Sequence, residues 1–397
     1  MLPYQEIVLR PGKEESIKRF HPWIFSGAIA ILPEGIEEGD AVRLLSSDRE
    51  FLGVGHYQPG SIAVRIMSFN DVAIDAAFYK ERVSEAYALR KRLGLIRDNN
   101  AIYRLVHGEG DGLPGLIVDI YGVTAVMQAH SVGIHNDRAL IAEALKEVYP
   151  TDAIKHIYYK SDGTLPYKAD IGPADGYLLG GKDPIGVSIE NGLRFRIDWE
   201  KGQKTGFFVD QRENRLLLEQ YAPGCHVLNM FSYTGGFSVY ALRGGAAAVD
   251  SVDSSSKAIS ITEENITLNF GNEPRHTSSS EDAFKFLKQI PQGKYDLIVL
   301  DPPAFAKRRG AVHNALQGYK KLNLAAMSKI AQGGILFTFS CSQVITKEQF
   351  RMAVFSAAAI SGRNVRLLHQ LTQPADHPVS MYHPEGEYLK GLVLYID

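Results

Sequence analysis

Short apolar runs separated by turn residues dominate the first seventy positions of the chain. Each run is a few residues long, and glycine, proline and aspartate lie between the runs. Spacing of this kind is typical of short strands in a small all-β unit. The strands predicted here are Glu6–Leu9, Ala41–Leu45, Phe51–Gly55 and Ile62–Ile66. We therefore predict a small β-barrel over residues 1–73.

Helical periodicity begins after this first block. Over residues 75–93 one face collects the apolar side chains, and Lys, Arg and Glu lie between them. The residues of that face are Ala76, Tyr79, Val83, Ala86 and Leu89. Two strands, at 102–104 and 116–121, and a helix at 136–149 follow. This mixture predicts an α+β middle domain over residues 74–185, ending in the Gly/Pro/Asp-rich segment 180–184.

From residue 186 to residue 397, short apolar runs alternate regularly with helical segments. Such alternation is typical of a parallel sheet covered by helices on both faces. The predicted strands are a pair over 187–197, then 227–231, 248–253, 277–280, 295–301, 334–340, 365–369 and 391–396; the predicted helices are 236–243, 256–269, 283–289, 317–331 and 347–361. No helix separates the last two strands, which favours the seven-stranded Rossmann-like sheet of methyltransferases over a simple dinucleotide-binding fold.

The composition limits the classes of function. With 45% hydrophobic and 22% charged residues among 397, the chain is that of an ordinary globular protein. Lys and Arg total 43 against 45 Asp and Glu, so any nucleic-acid surface must be a local patch. The two cysteines cannot form a disulfide framework or a multi-cysteine metal site, which predicts no metal and a cytoplasmic location. No apolar run approaches membrane-spanning length, so no membrane partner is expected.

Polar residues follow the strands of the predicted parallel sheet at their carboxyl ends, where ligands bind in doubly wound folds. Gly235 and Gly236 follow the first strand and would let the backbone approach a ligand closely, although the spacing is not G-x-G-x-x-G. Asp253 ends the second strand, where a ribose accepts a carboxylate, and Asp282 follows the third, where it could bond to an adenine amine. Each has a simpler interpretation when taken alone, because Gly-Gly turns are common and Asp253 could cap a helix.

The fourth strand ends in the sequence Asp301-Pro-Pro-Ala-Phe305. Two prolines remove two backbone donors and fix the loop, so Asp301 and Phe305 should be held rigidly. A rigid carboxylate near an aromatic ring suits a planar heteroaromatic substrate. Cys341 ends the next strand and is either an inert packed thiol, the usual meaning of such a residue, or a nucleophile. Cys225 has no comparable placement and is predicted to be structural.

These motifs resemble the ribosomal RNA large-subunit methyltransferase I family. The segments that carry the resemblance are Lys201–Arg212, Phe231–Phe237, Asp301–Pro303, Thr338–Ser342 and Ala375–Pro378. His21–Gly27 is similar to the family's PUA domain, a small RNA-binding barrel, and Leu113–Asp119 to its α+β insert. The resemblance covers nearly the whole chain. It implies an S-adenosylmethionine-dependent enzyme that methylates C5 of a cytosine in RNA, with large-subunit (23S) ribosomal RNA as its substrate.

The resemblance also implies roles for individual residues. Asp253 would take the cofactor ribose and Asp282 the adenine, and Asp301 would lie between cofactor and substrate. The remaining cofactor-binding positions are Phe231, Tyr233 and Gly235, which would surround the methionine portion, and Asp210, Gln211 and Arg212, which would close over the cofactor.

Two residues carry the predicted chemistry. Cytosine C5 is a poor nucleophile, and addition of the Cys341 thiolate to C6 would activate it. Asp301, near N3 and the exocyclic amine, would stabilise the adduct. Two other functions stay open at this point: an RNA methyltransferase that modifies an exocyclic amine without a covalent step, and a non-catalytic RNA-binding protein. A homodimer also stays open.

Overall fold

The computed structural model describes residues 3–166, 171–172, 174–181 and 186–397, and it divides into two compact units. Unit 1 comprises Met1–Ile189, Ile197–Val209 and Ala375–Gly386, and unit 2 comprises Glu190–Arg196, Asp210–Pro374 and Glu387–Asp397. Most of the predicted boundary segment 180–184 lies outside the described residues. Among the helices that the structure describes, none has the length and apolar character needed to cross a bilayer.

Unit 1 begins with a six-stranded mixed sheet. Its elements are β1 (Gln5–Leu9), α1 (Glu15–Lys18), β2 (Trp23–Phe25), β3 (Ile29–Ile31), β4 (Ala41–Leu45), β5 (Phe51–Tyr57) and β6 (Ile62–Ser68). The strand order is β2-β6-β5-β4-β1-β3, and fully buried Ile7, Leu44 and Val64 belong to its core. All four predicted strands are present. The sequence analysis missed β2 and β3, because strands of three residues are too short to show an alternating pattern.

A second sheet of unit 1 has the order β11-β10-β9-β8-β7. The chain segment that forms this sheet contains α2 (Ala76–Arg92), β7 (Ile102–His107), β8 (Leu116–Tyr121), β9 (Thr124–Ala129), α3 (Val132–Asn136), α4 (Arg138–Val148), β10 (His156–Tyr159) and β11 (Gly176–Leu179). The next strand, β12 (Val187–Glu190), lies outside this sheet. α2 begins where the Asp75 side chain accepts a hydrogen bond from Phe78 N. β9 to β11 were not predicted; β9 is buried along its whole length, so it lacks alternation. The helix predicted over 136–149 is two helices that meet at Asp137.

The last segment of unit 1 is fixed by buried polar contacts. The carboxylate of Asp376 accepts a hydrogen bond from Arg104 N at 3.0 Å, and its backbone oxygen accepts one from Arg90 Nη2 at 2.7 Å. A Cβ atom on Gly110 would lie 1.8 Å from Pro378 O, so only glycine fits there. The motif Ala375–Pro378 therefore has a packing role within unit 1.

Unit 2 contains a seven-stranded sheet with helices between its strands. Its elements are β13 (Leu193–Arg196), α5 (Arg212–Tyr221), β14 (His226–Met230), α6 (Gly236–Arg243), β15 (Ala248–Asp253), α7 (Ser256–Phe270), β16 (His276–Ser280), α8 (Ala283–Gln289), β17 (Leu297–Leu300), α9 (Val312–Met327), β18 (Gly334–Ser340), α10 (Lys347–Ser361), β19 (Val365–Leu371) and β20 (Lys390–Ile396). The order is β16-β15-β14-β17-β18-β20-β19, and β20 is antiparallel to both of its neighbours. The predicted fold class is confirmed, including a closing strand pair with no α-helix between its members; the antiparallel direction of β20 was not predicted.

The helix predicted over 317–331 was misplaced at both ends. α9 begins at Val312 and ends at Met327. Ala315, Tyr319 and Ala326 are buried at helical spacing, and the first of these falls in a stretch where polar His313 and Asn314 masked the helix start.

A buried ion pair anchors the start of unit 2. Arg215 donates two hydrogen bonds to the Glu190 carboxylate, at 2.9 and 2.7 Å, and both side chains are almost completely buried. Tyr240 donates a third, at 2.9 Å. Burial raises the pKa of Tyr240 well above its ordinary value, so the phenol keeps the proton that it donates. Glu190 precedes an Asn191-Gly192 turn with positive φ at both residues, the usual connection of a tight hairpin.

We predict that Glu190→Gln lowers the free energy of unfolding of unit 2 by about 3–5 kcal/mol, because it leaves the buried Arg215 guanidinium without its counter-charge. Denaturant unfolding followed by intrinsic fluorescence measures this loss. Glu264→Gln removes a carboxylate from an exposed pair with Arg196 and serves as the control, with an expected change below about 1 kcal/mol. Equal effects of the two substitutions would contradict the assigned role of the buried pair.

Candidate functional site

The register of the parallel strands brings three loops of unit 2 to one edge of the sheet. Met230 pairs with Val252 on one side and with Leu300 on the other. The next residue of each strand is therefore at the same level, namely Phe231, Asp253 and Asp301. These are three of the predicted site residues.

The turn after β14 has an unusual backbone. Phe231, Tyr233 and Gly235 all have positive φ, at 57°, 47° and 78°, and bulky residues rarely adopt this conformation. Thr262 Oγ1 donates to Tyr233 O at 2.9 Å and thereby helps to hold the turn against α7. A Cβ on Gly235 would lie 2.6 Å from Thr262 Cγ2, so glycine is required by packing as well as by φ. The turn is thus rigid, and the same contacts fix the start of α6.

The two acidic residues predicted for the ribose and the adenine have different environments. Asp253 is partly buried, and its two carboxylate oxygens accept hydrogen bonds from Tyr233 N and Ser255 N, both at 2.9 Å. A carboxylate offers about four acceptor sites, so Asp253 can still accept from a ligand diol. Asp282 is exposed and caps α8 by accepting from Lys285 N at 2.9 Å. The helix-capping role considered for Asp253 is not the one it has: Ser255 caps α7, and Asp282 caps α8.

The segment before α5 reaches the loop that begins at Asp301. Gln211 Nε2 donates to Asp301 Oδ2 at 3.0 Å, and Gln211 Oε1 accepts from Asn214 Nδ2 at 2.6 Å. Tyr388 donates to Asp210 Oδ2 at 2.7 Å. Arg212, the first residue of α5, is buried. The structure thus brings Gln211 and Asp301 into direct contact, which the spacing of the two motifs along the chain does not reveal.

Cys341 lies directly after β18, next to the loop that begins at Asp301. Its Sγ is 4.0 Å from Pro302 O, and the side chain is partly exposed. Cys225 is also partly buried, but its Sγ donates to Tyr221 O at 3.2 Å, and burial raises its pKa. Of the two thiols, Cys341 is the one at the edge of the sheet that carries the other site residues.

Tyr319, in α9, contacts both the Cys341 loop and the loop that begins at Asp301. Ser340 Oγ donates to the Tyr319 hydroxyl at 3.0 Å, and Ser342 Oγ lies 3.2 Å from the same oxygen. The ring of Phe305 packs on the ring of Tyr319, with centroids 4.6 Å apart. Burial raises the pKa of Tyr319, which keeps its hydroxyl protonated. Residues on both sides of Cys341 are therefore fixed to one buried side chain.

Lys390 is a residue that the sequence analysis missed. It pairs with Ser340 across β18 and β20, is only 6% exposed, and donates to Ser342 O at 2.6 Å and to Ile345 O at 2.9 Å. Burial lowers its pKa to about 8, although the negative charge of an ionised Cys341 acts in the opposite direction. The sequence carried no usable signal for it, because a lysine directly before the apolar run Gly391–Ile396 is ordinarily exposed and buried lysines are rare.

The geometry fits transfer of a group between two ligands at this edge. On one side Asp253 and a rigid turn offer acceptors and backbone to a nucleoside. On the other side Asp301, Phe305 and Cys341 offer a carboxylate, an aromatic ring and a thiol to a planar base. The structure thus brings the predicted residues of both groups to one edge of the sheet, and their assignment to cofactor and substrate stays a prediction.

Two family models match the chain. A model described as S-adenosylmethionine-dependent methyltransferase matches residues 171–380, and a PUA-like domain model matches residues 7–69. The second match falls on the six-stranded sheet of unit 1. The fold of the chain also resembles a crystal structure described as a methyltransferase complexed with SAH, with a TM-score of 0.85 and 24% identity over 98% of this chain and 100% of that one. A methyltransferase structure from Streptococcus mutans gives a TM-score of 0.84 and 23% identity over the same shares.

Curated relatives cover the whole length. The chain is 38% identical to ribosomal RNA large subunit methyltransferase I of Alteromonas mediterranea over 98% of both proteins. It is 39% identical to the protein of that name from Klebsiella pneumoniae, over 98% of this chain and 97% of the relative. Identity of this extent, together with the two family models, shows that the chain belongs to the ribosomal RNA large subunit methyltransferase I family of S-adenosylmethionine-dependent enzymes.

Proposed function

We propose that the chain transfers a methyl group to C5 of a cytosine in large-subunit ribosomal RNA through a covalent bond between Cys341 and C6. The contact of Cys341 Sγ with Pro302 O carries the proposal, because it sets a partly exposed thiol beside the rigid Asp301-Pro302 loop. An enzyme that methylates an exocyclic amine needs the carboxylate of that loop but has no use for a neighbouring thiol.

The cofactor side of the site fits S-adenosylmethionine. When bound, the cofactor supplies an electrophilic methyl group on a sulfonium. Asp253 would accept from the ribose hydroxyls with the lone pairs that its two backbone contacts leave, and the turn from Phe231 through Tyr233 to Gly235 would face the methionine portion. Asp282, exposed at the start of α8, would bond to the adenine amine. Asp210, Gln211 and Arg212 would border the cofactor on the side of Asp301.

The residues on the substrate side would act in a fixed order. The Cys341 thiolate adds to C6 of the cytosine, which forms the S–C6 bond and places the electron pair at C5 and N3. Asp301, held by Gln211, would bond near N3 and the exocyclic amine, and in its protonated form it would relieve the negative charge that develops on N3. C5 would then bond to the methyl group as the bond between that methyl and the sulfonium breaks, its electron pair staying on the cofactor sulfur. A base would remove the C5 proton, the C5–H electron pair would restore the C5–C6 double bond, and the S–C6 pair would return to Cys341. The target base must leave any stack to reach this pocket.

Replacement of Asp253 by Ala should weaken S-adenosylmethionine binding by roughly 1–3 kcal/mol, because ribose hydroxyls and the turn at Tyr233 lose their acceptor. Isothermal titration calorimetry measures the change. Asp296→Ala is the matched control, since Asp296 also accepts from a backbone N–H, that of His226 at 2.9 Å, but precedes β17 at the opposite end of the strands. Unchanged affinity in Asp253→Ala would remove the ribose assignment.

Replacement of Cys341 by Ser should abolish turnover, because a serine hydroxyl is far less ionised than a thiol near neutral pH. Cofactor affinity should be retained, since Cys341 lies on the substrate side. RNA that contains 5-fluorocytosine should trap the wild-type protein covalently, because fluorine at C5 cannot leave as a proton does. Gel mobility of the denatured complex measures the trap, and Cys225→Ser serves as the control that still traps.

Methylation of an exocyclic amine gives the opposite result in the same assay. It leaves the Cys341→Ser variant with a near-normal rate and forms no adduct with 5-fluorocytosine. A non-catalytic RNA-binding protein would transfer no methyl group to RNA at all. Substantial turnover by Cys341→Ser would overturn the covalent mechanism even if every cofactor assignment held.

The PUA-like domain is proposed to contribute RNA affinity and no chemistry. Residues 1–73 carry 7 basic and 10 acidic residues, so the affinity cannot come from net charge. Phe20, Phe25 and Tyr382 of unit 1 are each about half exposed, and the rings of Phe20 and Tyr382 are 5.2 Å apart. Exposed aromatic rings of this kind stack on unpaired bases.

The double variant Phe25→Ala/Tyr382→Ala should therefore lose roughly 1–3 kcal/mol of RNA affinity for each base that it no longer stacks, with cofactor affinity unchanged. Filter binding at one fixed salt concentration measures the loss. Phe355→Ala removes an equally exposed ring from α10 in unit 2 and should bind RNA normally. Normal RNA binding by the double variant would exclude these rings as the contact surface.

Three earlier predictions remain proposals. They are the division of the chain into a barrel over 1–73, an α+β domain over 74–185 and a methyltransferase domain over 186–397, a cytoplasmic location, and a homodimer. Limited proteolysis tests the first, cell fractionation the second, and sedimentation at several protein concentrations the third.

A further inference from the structure

We propose that Lys390 is the positioning residue for Cys341: its ammonium group fixes the loop that follows the thiol and stabilises the thiolate. The inference rests on the proposed function in one respect, since it takes Cys341 to be the nucleophile. It adds a residue from the last strand of the sheet to a site otherwise built from the loops at the ends of parallel strands.

The hydrogen bonds of Lys390 define its position. Nζ donates to Ser342 O and to Ile345 O, so the ammonium closes the loop that begins at Cys341. The antiparallel pairing of β20 with β18 places Lys390 opposite Ser340, on the other side of Cys341. An ammonium has three N–H groups and both of these contacts are to backbone oxygens, which leaves one N–H for a further acceptor.

Burial explains why this charge matters. In a group only 6% exposed, solvent screens the ammonium weakly, so its field on a neighbouring thiolate is strong. The electrostatic interaction between Lys390 and Cys341 raises the pKa of the lysine against the larger effect of burial, which lowers it to about 8. The same attraction must favour the ionised thiol by an equal amount, because the interaction free energy belongs to both partners. Below pH 8 the lysine is mainly charged and the attraction is present.

Two further charged groups act on Lys390, and they oppose one another. Lys347, at the start of α10, and Glu387 form an exposed ion pair at 2.8 Å and act on Lys390 in opposite directions. Tyr319 is a protonated phenol at neutral pH because burial raises its pKa. Lys390 is thus a buried cation whose charge interacts with an ionised Cys341.

Alkylation of Cys341 by iodoacetamide tests the proposal, since the reagent reacts with the thiolate. The Cys225→Ser variant leaves Cys341 as the single cysteine of the chain. We expect its rate to rise with pH through a midpoint below about 8.5, the ordinary thiol value. In this background Lys390→Met should move the midpoint upward by about one unit and slow alkylation at pH 7 about tenfold. Lys390→Arg retains a cation and should keep part of the effect.

The control is Lys347→Met, which removes an exposed lysine close to the same loop. Solvent screens that charge, so the midpoint should move by a few tenths of a unit at most. A structural role alone would leave the midpoint of Lys390→Met unchanged, and that result would overturn the proposal. Lys390→Met could prevent folding, which loss of cofactor binding would reveal. In that case the pH dependence of Cys341 alkylation in the Cys225→Ser protein decides, and a midpoint at or above 8.5 overturns the proposal.

Neither measurement uses RNA, so failure here is separate from failure of the proposed function. A Cys341 thiolate stabilised by Lys390 in a protein that forms no adduct with 5-fluorocytosine would reject only cytosine-C5 chemistry. The opposite result is an adduct with 5-fluorocytosine together with an alkylation midpoint that Lys390→Met does not change. It would reject only the role of the lysine.

Discussion

The register of the parallel strands in unit 2 is the constraint on which the site depends. Because β14, β15 and β17 end at one level, Phe231, Asp253 and Asp301 meet at a single edge without any of them being near another in sequence. β17 is apolar and buried along its whole length, Leu297–Leu300, and β14 and β15 bury most of their apolar side chains. The energy that fixes the site geometry is therefore hydrophobic burial in the sheet, and the polar residues need only follow the strands.

Loops alone would not hold these side chains precisely, and a set of buried polar contacts restrains them. Thr262 holds the turn at Tyr233, Gln211 holds Asp301, and Tyr319 holds the serines on both sides of Cys341. Each contact is a hydrogen bond between a loop and a helix or helix start that is itself packed on the sheet. Because these side chains are already ordered, less conformational entropy is lost when two ligands are brought into a reactive geometry.

The sequence predicted the architecture because burial imposes a regular pattern, and it failed where that pattern is absent. Alternation of strands and helices located the seven-stranded sheet, and polar residues after strands located Asp253, Asp301 and Cys341. β2 and β3 were too short to show a pattern, and fully buried β9 has no polar face. The contact of Gln211 with Asp301 joins residues 90 positions apart, and no local signal encodes it. The fold follows from local periodicity, whereas the side-chain contacts of the site follow from tertiary packing.

The burial of Lys390 also follows from tertiary packing and not from local sequence. In the sequence it is one lysine before an apolar strand, and an exposed position at the strand end would have been the ordinary expectation. The antiparallel insertion of β20 between β18 and β19 places it under the Cys341 loop instead. Burial of an ammonium group costs free energy, and two carbonyl oxygens at 2.6 and 2.9 Å offset part of that cost. An apolar residue at this position would avoid the cost altogether. The role proposed for Lys390 accounts for this cost, because a buried cation beside the Cys341 loop stabilises a negative charge formed on that thiol.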